Sequence, residues 1–259
     1  MYRHLLVPVE RSDACVEAIG HAAELARSLG ARITFVCGET GEHDALTHRR
    51  TEALLARAEA AARAQGVPAS VLLDQGGATF DGIGHQASRD YDLVCIAQGS
   101  AVPPLAGVAV LVCPADARPS VTRVVGALLD EHRARSDAFE DALAGLRAKR
   151  LAQRTIEGLC VAPREEKALT LALRERTSAL DAEFDELARL AGREAALLAR
   201  IAESAMRGEE IEDRLHACAR FAWERMGRIE GVVLPASRRC LRDADWSALA
   251  DHAGRDSAQ

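Results

Sequence analysis

The residues of this sequence that are best placed to do chemistry are ionisable side chains on otherwise apolar helical stripes. His132, Glu194 and Arg225 each occupy a position where spacing by three and four residues otherwise carries apolar side chains. Such positions face the interior of a helical bundle, where an unpaired charge is costly. We therefore predict a contact between Arg225 and Glu165, close to His132. Glu194 is a further candidate partner for the same guanidinium.

Other interpretations of these residues stay open. Arg225 could reach solvent along its methylene stem, as long basic side chains often do. Glu165 and Glu166 could form an acid/base pair, but adjacent helical positions point about 100° apart, which favours a helix cap and a solvated side chain. The sequence shows no Ser/His/Asp set, nucleophile elbow or phosphate loop. We therefore predict a protein that is not an enzyme.

The first part of the chain, residues 1–115, alternates apolar runs with amphipathic segments. The predicted strands are residues 4–9, 33–37, 71–73, 92–97 and 108–112, and the predicted helices are residues 13–29, 43–65 and 79–89. Ser12 is placed to cap the first helix and Gly30 to end it. Alternation of this kind predicts an α/β domain in which helices cover both faces of a five-stranded parallel sheet.

Three segments of this domain carry a family resemblance: HLLVPVE at 4–10, LARSLGARITFV at 25–36 and YDLVCIAQGS at 91–100. With these segments in this order, residues 1–115 resemble the universal stress protein family. The resemblance implies that an acidic residue ends the first strand near bound ATP, and Glu10 stands at that position. It also implies a glycine-rich loop after the fourth strand, where backbone amides approach the phosphates.

The loop after the fourth strand is shorter than the resemblance implies. Residues 98–107 retain only Gly99-Ser100 of the usual glycine pattern, which favours a plain connecting turn. We therefore predict no nucleotide cofactor and a vestigial nucleotide pocket made by Glu10, Ala97, Gly99 and Ser100. The alternative is a sensor that holds ATP in this modified pocket.

The second part of the chain, residues 120–250, contains four amphipathic segments. The apolar spacing predicts helices over residues 121–146, from Pro163 onward, over residues 180–201 and over residues 211–232, with Ser120 as the first cap and the last helix ending near Pro235. Four helices of this size predict an antiparallel four-helix bundle with an interior seam.

Two strings in this region, LLDEHRARSDAF at 128–139 and LPASRRCLRDADW at 234–246, are similar to the hemerythrin-like metal-binding domain, whose helices hold iron. The resemblance implies that His132 and Glu165 stand at ligand positions of that family. Two protein ligands cannot hold two iron ions, which need several imidazoles and at least two carboxylates. We therefore treat His132 and Glu165 as vestigial positions and predict no metal cofactor.

The fourth helix departs furthest from that family. Arg225 and Ile229 stand where the resemblance implies a histidine and a glutamate that bind iron. We predict that the buried contact of Arg225 with a carboxylate replaces the metal as the polar centre of the bundle. The alternative is a single metal ion held by the surviving ligands together with Glu194 and water.

Composition limits the remaining function classes. The formal net charge is -6 and neither half of the chain is basic, which argues against nucleic acid as a partner. No apolar run approaches the ~20 residues that span a bilayer, so we expect no membrane span. The start of the sequence does not resemble a signal peptide. The seven cysteines form no Cys-x-x-Cys pair, which indicates reduced thiols and a cytoplasmic location.

These patterns together favour a non-enzymatic stress-response or regulatory protein that acts through contacts with another, unidentified protein. The predicted strand over residues 108–112 is very apolar for the edge of a sheet, and this predicts a homodimer. The alternatives are a nucleotide-binding stress protein and a metal- or oxygen-responsive hemerythrin relative.

Overall fold

The computed structural model of this chain describes residues 2–38, 45–74, 90–100, 107–147, 153–161, 163–207 and 210–256. The chain divides into two compact units. The first combines Met1–Asp116 with Gly227–Pro235, and the second combines Ala117–Met226 with Ala236–Gln259. The sequence pattern had placed the segment 227–235 in the helical domain, within limits of 120–250, whereas the structure groups it with the α/β unit.

The α/β unit is built on one parallel sheet of five strands in the order β3-β2-β1-β4-β5. The strands are β1 (His4–Pro8), β2 (Arg32–Gly38), β3 (Ala69–Asp74), β4 (Leu93–Ala97) and β5 (Ala109–Cys113), and two helices, α1 (Asp13–Leu29) and α2 (Ala45–Ala64), are described with them. The predicted five-stranded parallel sheet is thus confirmed. The helix predicted over residues 79–89 lies outside the described residues.

Local signals set the ends of α1 as predicted. The hydroxyl of Ser12 accepts a hydrogen bond from the backbone amide of Cys15, at 3.2 Å. Gly30 ends the helix in the left-handed conformation with φ of 62°, which glycine adopts without strain. The helix is thereby fixed directly after β1, and the loop that contains Glu10 lies between them.

Successive residues of β1 contribute to two different cores, as the two-residue period of a strand requires. Leu5 packs on the face that carries α1 and α2, together with Phe35 of β2. Leu6 packs on the opposite face with Val94 of β4. The sheet is therefore buried on both sides at its centre, which explains the continuous apolar runs in these strands.

The segment 227–235 packs closely against α2 within the α/β unit. Residues Ile229–Val233 form a π-helical turn. Glu230 forms an ion pair with Arg57, and each side chain is only 5% exposed. The side-chain amide of Gln65 donates to the carbonyl of Gly231, at 2.6 Å. A Cβ atom at Gly231 would lie 2.8 Å from the backbone oxygen of Ala61, so only glycine fits at this position.

The helical unit contains the four predicted helices and shorter ones. The described helices after the sheet are α3 (Pro119–Arg147), α4 (Gln153–Leu159), α5 (Arg164–Arg174), α6 (Asp181–Met206), α7 (Glu212–Arg228), α8 (Leu234–Cys240) and α9 (Asp243–Asp256). Within this described part of the chain, none of the helices has the length and apolar character needed to cross a bilayer.

Two predicted helix ends differ from the structure. Ser120 was predicted to cap the first helix, but α3 already begins at Pro119, because the fixed φ of proline suits the first turn. The fourth helix was predicted to end near Pro235. The chain instead continues through the π-helical turn into α8, of which Pro235 is the second residue.

The backbone of Ala61 lies so close to Gly231 that a larger residue at position 231 should destabilise the packing of α2. Gly231→Ala should destabilise the packing of α2 by about 1–3 kcal/mol, because the added methyl group must displace the backbone of Ala61. Faster amide hydrogen exchange across α2 would report this change.

Gly192 provides a matched control in the exposed interior of α6, where an added Cβ meets nothing within 4 Å. Gly192→Ala should stabilise its helix by about 0.5–1 kcal/mol and leave exchange in α2 unchanged. Equal exchange in α2 for Gly231→Ala and the unaltered protein would contradict the tight contact.

Candidate functional site

Arg225 of α7 lies in the interior of the helical unit and is only 2% exposed. Its Nε donates to Oε2 of Glu194 on α6, at 3.1 Å. Its Nη1 contacts the carboxylate of Glu166 on α5. The guanidinium is thus paired inside the protein, and the alternative in which it reaches solvent is wrong. We call the set of Arg225, Glu194, Glu166 and Arg135 the arginine–glutamate centre.

The partner of Arg225 on α5 is Glu166, whereas the sequence-based prediction named the preceding residue, Glu165. Adjacent helical residues point about 100° apart, so the rotation of α5 directs Glu166 to the interior. Glu166 also lies near His132, with 3.9 Å between its Oε2 and Nε2 of the imidazole. The backbone amide of Glu165 donates to the carboxylate of Glu131, at 3.2 Å, so α5 is capped from α3.

Arg135 of α3 is a second cation of the centre that the sequence analysis missed. Its Nε donates to Oε1 of Glu194, at 3.0 Å. The backbone carbonyls of Leu159 and Val161 accept two further hydrogen bonds from its guanidinium, at 3.0 and 2.9 Å. Arg135 follows His132 by three residues and therefore lies on the same side of α3. The three-residue spacing from His132 was the feature of the sequence that could have indicated a role for Arg135.

The centre holds two cations and two anions, and its charges balance. Burial has the largest influence on the pKa of Arg225 and opposes its charged form, but attraction to Glu166 and Glu194 and the hydrogen bonds to both raise the pKa above its ordinary value. The guanidinium therefore stays charged at any physiological pH. A buried network of this kind specifies geometry more than it adds stability.

The residues that the sequence analysis interpreted as former metal positions do not come together as a ligand set in the described residues. His132 lies beside Glu166, but Arg225 occupies the space between the carboxylates of α5 and α6. Ile229 is fully buried in the π-helical turn of the α/β unit. In the described ranges, no group of three or more His, Cys, Asp or Glu side chains could hold a metal ion. The residues of the centre do not fit a resident metal.

A cleft of about 540 Å³ opens over the arginine–glutamate centre. We call it the α5–α6 cleft because most of its walls belong to these two helices. Its lining residues are Arg135, Cys160, Val161, Pro163, Glu166, Lys167, Thr170, Leu171, Arg174, Phe184, Leu187, Ala188, Ala191, Glu194, Ala195, Leu198, Ala199 and Arg225. Its walls are mostly apolar, and all four residues of the arginine–glutamate centre are part of the lining.

The four residues that the sequence analysis assigned to a nucleotide pocket lie in the described part of the α/β unit. The hydroxyl of Ser100 donates to Oε1 of Glu10, at 3.4 Å, and Ser12 donates to the same oxygen, at 3.0 Å. Ala97 is the buried last residue of β4, and Gly99 follows it with φ of 88°. These residues lie at the carboxyl ends of the neighbouring strands β1 and β4, where ligands bind in open α/β sheets. Residues 101–106 of the following loop lie outside the described residues.

Comparisons with known proteins identify the first part of the chain. The model of the universal stress protein family matches residues 1–101. A crystal structure of a protein from the universal stress protein family from Burkholderia pseudomallei is similar with 23% sequence identity, and the match covers 44% of this chain and 97% of that chain with a TM-score of 0.39. A search of curated proteins finds no match. The match to the family model confirms the resemblance seen in the sequence for residues 1–101.

The arginine–glutamate centre predicts a large loss of stability when Glu194 is removed. Glu194→Ala deprives the buried guanidinium of Arg225 and the partly buried guanidinium of Arg135 of their shared carboxylate, and it should lower the free energy of unfolding by about 3–5 kcal/mol. Urea unfolding followed by tryptophan fluorescence measures this effect in the helical unit, because Trp223 and Trp246 both belong to it.

The matched control is Glu186→Ala on the same helix, which removes a surface ion pair with Arg189. That change should lower the free energy of unfolding by less than about 1 kcal/mol. A loss for Glu194→Ala as small as the control would show that the buried pairs are not formed.

The cysteines should differ widely in their reaction with iodoacetamide. Burial raises the pKa of the Cys218 thiol, which donates to the carbonyl of Glu194, to about 12. Burial likewise raises the pKa of the Cys15 thiol to about 12. Because the thiolate is the nucleophile, both should stay unmodified at about pH 8, whereas the exposed Cys160 should react.

Peptide mass spectrometry after timed labelling measures the modification of each thiol. Labelling in urea serves as the control, since all seven cysteines are thiols and should then react. Modification of Cys218 in the folded protein as rapid as that of Cys160 would contradict the burial.

Proposed function

We propose that this chain is a non-enzymatic stress-response protein that acts through contacts with other proteins. Its universal stress protein domain at residues 1–101 supports a role in stress response. The observation that supports a non-enzymatic role is the position of Arg225, which forms ion pairs with Glu166 and Glu194 in the helical unit. A cytoplasmic location is part of the same proposal.

The proposal extends the likeness to hemerythrin-like domains, in which this interior would hold iron. An arginine side chain cannot lose its proton under physiological conditions and therefore cannot coordinate a cation. Arg225 also donates hydrogen bonds to Glu166 and Glu194, whose carboxylates would otherwise serve as metal ligands. A divalent ion would meet two guanidinium groups at short range. We infer that the helical unit keeps the frame of a metal-binding bundle in which an ion-pair network has taken the place of the metal.

The nucleotide pocket is proposed to have lost its function in a similar way. Glu10 already accepts hydrogen bonds from Ser12 and Ser100, so its carboxylate is engaged by neighbouring side chains. The short connection between β4 and β5 supports the same conclusion, because it leaves little chain for a phosphate-binding loop.

The homodimer is proposed to form along β5. This strand ends the sheet opposite β3, so one side of its backbone is available to a strand from a second copy. Leu111 and Val112 are 38% and 47% exposed, which is high for large apolar side chains. Pairing of two β5 strands about a two-fold axis would cover both the backbone edge and these side chains.

Native mass spectrometry of protein purified gently from cells supplied with iron tests the proposal. A dimer that carries neither nucleotide nor iron is the expected species. Additional mass that matches ATP would overturn the degenerate nucleotide pocket, and one or two iron ions would overturn the interpretation of Arg225. Either result would favour the corresponding alternative, a nucleotide-binding stress protein or a metal- or oxygen-responsive relative of hemerythrin.

Two matched variants locate the dimer contact. Val112→Lys places a charge on β5 and should convert the dimer to a monomer, because like charges would face each other across the pair. Leu72→Lys makes the same change on β3, the other edge strand, where Leu72 is 39% exposed, and should leave the dimer intact. Sedimentation velocity measures both. Dissociation by Leu72→Lys alone would move the contact to β3.

A further inference from the structure

We propose that the α5–α6 cleft binds a small amphipathic carboxylate of the medium-chain fatty acid class, with its head group against Arg225 and its chain along α6. This inference gives the helical unit a ligand of its own and does not depend on the proposed protein contacts. It is carried by the size, the apolar walls and the charge of the cleft.

The cleft has the dimensions and walls of a small-molecule site. Its volume of about 540 Å³ falls within the range of about 300–1,000 Å³ that is usual for ligand pockets. Phe184, Leu187 and Leu198 of α6 lie on one wall and Leu171 of α5 on another. Leu171 is 55% exposed, although its apolar surface would be more stable in contact with an apolar ligand.

The charge of the cleft selects an anion. Four cationic side chains line it, and only two anionic ones, Glu166 and Glu194, oppose them. Because the two glutamates are paired with Arg135 and Arg225, the excess positive charge comes from Lys167 and Arg174. A ligand with a cationic head would therefore be repelled, whereas a carboxylate would be attracted.

Arg225 supplies a specific donor for the head group. Its Nε donates to Glu194 and its Nη1 to Glu166. The same side chain lines the cleft. A guanidinium carries five N–H donors, so a carboxylate head group would be held by Arg225 beside the two glutamates. The guanidinium of Arg174, which lies 4.7 Å from the ring centre of Phe184, is a further cation in the lining of the cleft.

Isothermal titration calorimetry with decanoate, below its micelle concentration, tests the proposal on the full-length protein. Decanoate should bind with one site per chain, and decylammonium, which has the same chain and the opposite charge, should bind at least about tenfold more weakly. Equal affinity for the two probes, or no saturable binding of decanoate, would overturn the proposal.

A pair of variants on α6 separates binding in the cleft from binding elsewhere. Ala195 lines the cleft and Ala196, the next residue, does not; both are exposed. Ala195→Phe should fill the cleft and weaken decanoate binding by at least about tenfold, whereas Ala196→Phe should leave it unchanged. Both variants retain the arginine–glutamate centre, and tryptophan fluorescence verifies that they fold. Unchanged binding by Ala195→Phe would overturn the proposal.

Cys160 provides an independent readout, because this exposed thiol lies at the cleft. Saturating decanoate should slow its alkylation by iodoacetamide at least about tenfold, since the bound chain excludes the reagent from the thiol. Decylammonium at the same concentration is the control. Saturable decanoate binding with no change in the labelling of Cys160 would place the ligand outside the cleft and overturn the proposal.

Discussion

The helical unit depends on one constraint, which is that the guanidinium of Arg225, whose residue is only 2% exposed, must be paired inside the protein. Each of four helices supplies one member of the centre: Arg135 from α3, Glu166 from α5, Glu194 from α6 and Arg225 from α7. Rotation of any of these helices by one residue would remove a partner and leave a buried charge unpaired, which costs several kcal/mol. The ion pairs therefore fix the helical register with a precision that apolar packing alone, which tolerates repacking, would not provide.

This constraint also shows how far the sequence can predict the site. Glu194 and Arg225 could be found because a charged residue on an apolar stripe is conspicuous and must have a partner. The choice between Glu165 and Glu166 could not be made, because α5 has only 11 residues and its apolar pattern does not define its rotation to within one position. Arg135 was missed because it borders the stripe instead of interrupting it, so only its spacing from His132 indicated a role.

The sheet of the α/β unit was predictable for a different reason. Alternation of strands and helices is a local pattern, and it determines a parallel sheet almost by itself. The packing of the segment 227–235 was not predictable in this way, because an apolar stripe shows that a helix has a buried face but does not identify what covers it. That information lies in long-range pairs such as Arg57 with Glu230, which are 173 residues apart, and in the absence of a side chain at Gly231.

Arg225 determines which sign of charge the interior of the helical unit favours. Carboxylates and a histidine with no cation among them would attract a metal ion. Because the permanent cation of Arg225 lies between Glu166 and Glu194, their negative charge is neutralised locally and does not offset the positive charge of Lys167 and Arg174 in the cleft. On the proposal above, a single arginine therefore disfavours a cation and favours an anion, and an amphipathic carboxylate matches both the charge and the apolar walls.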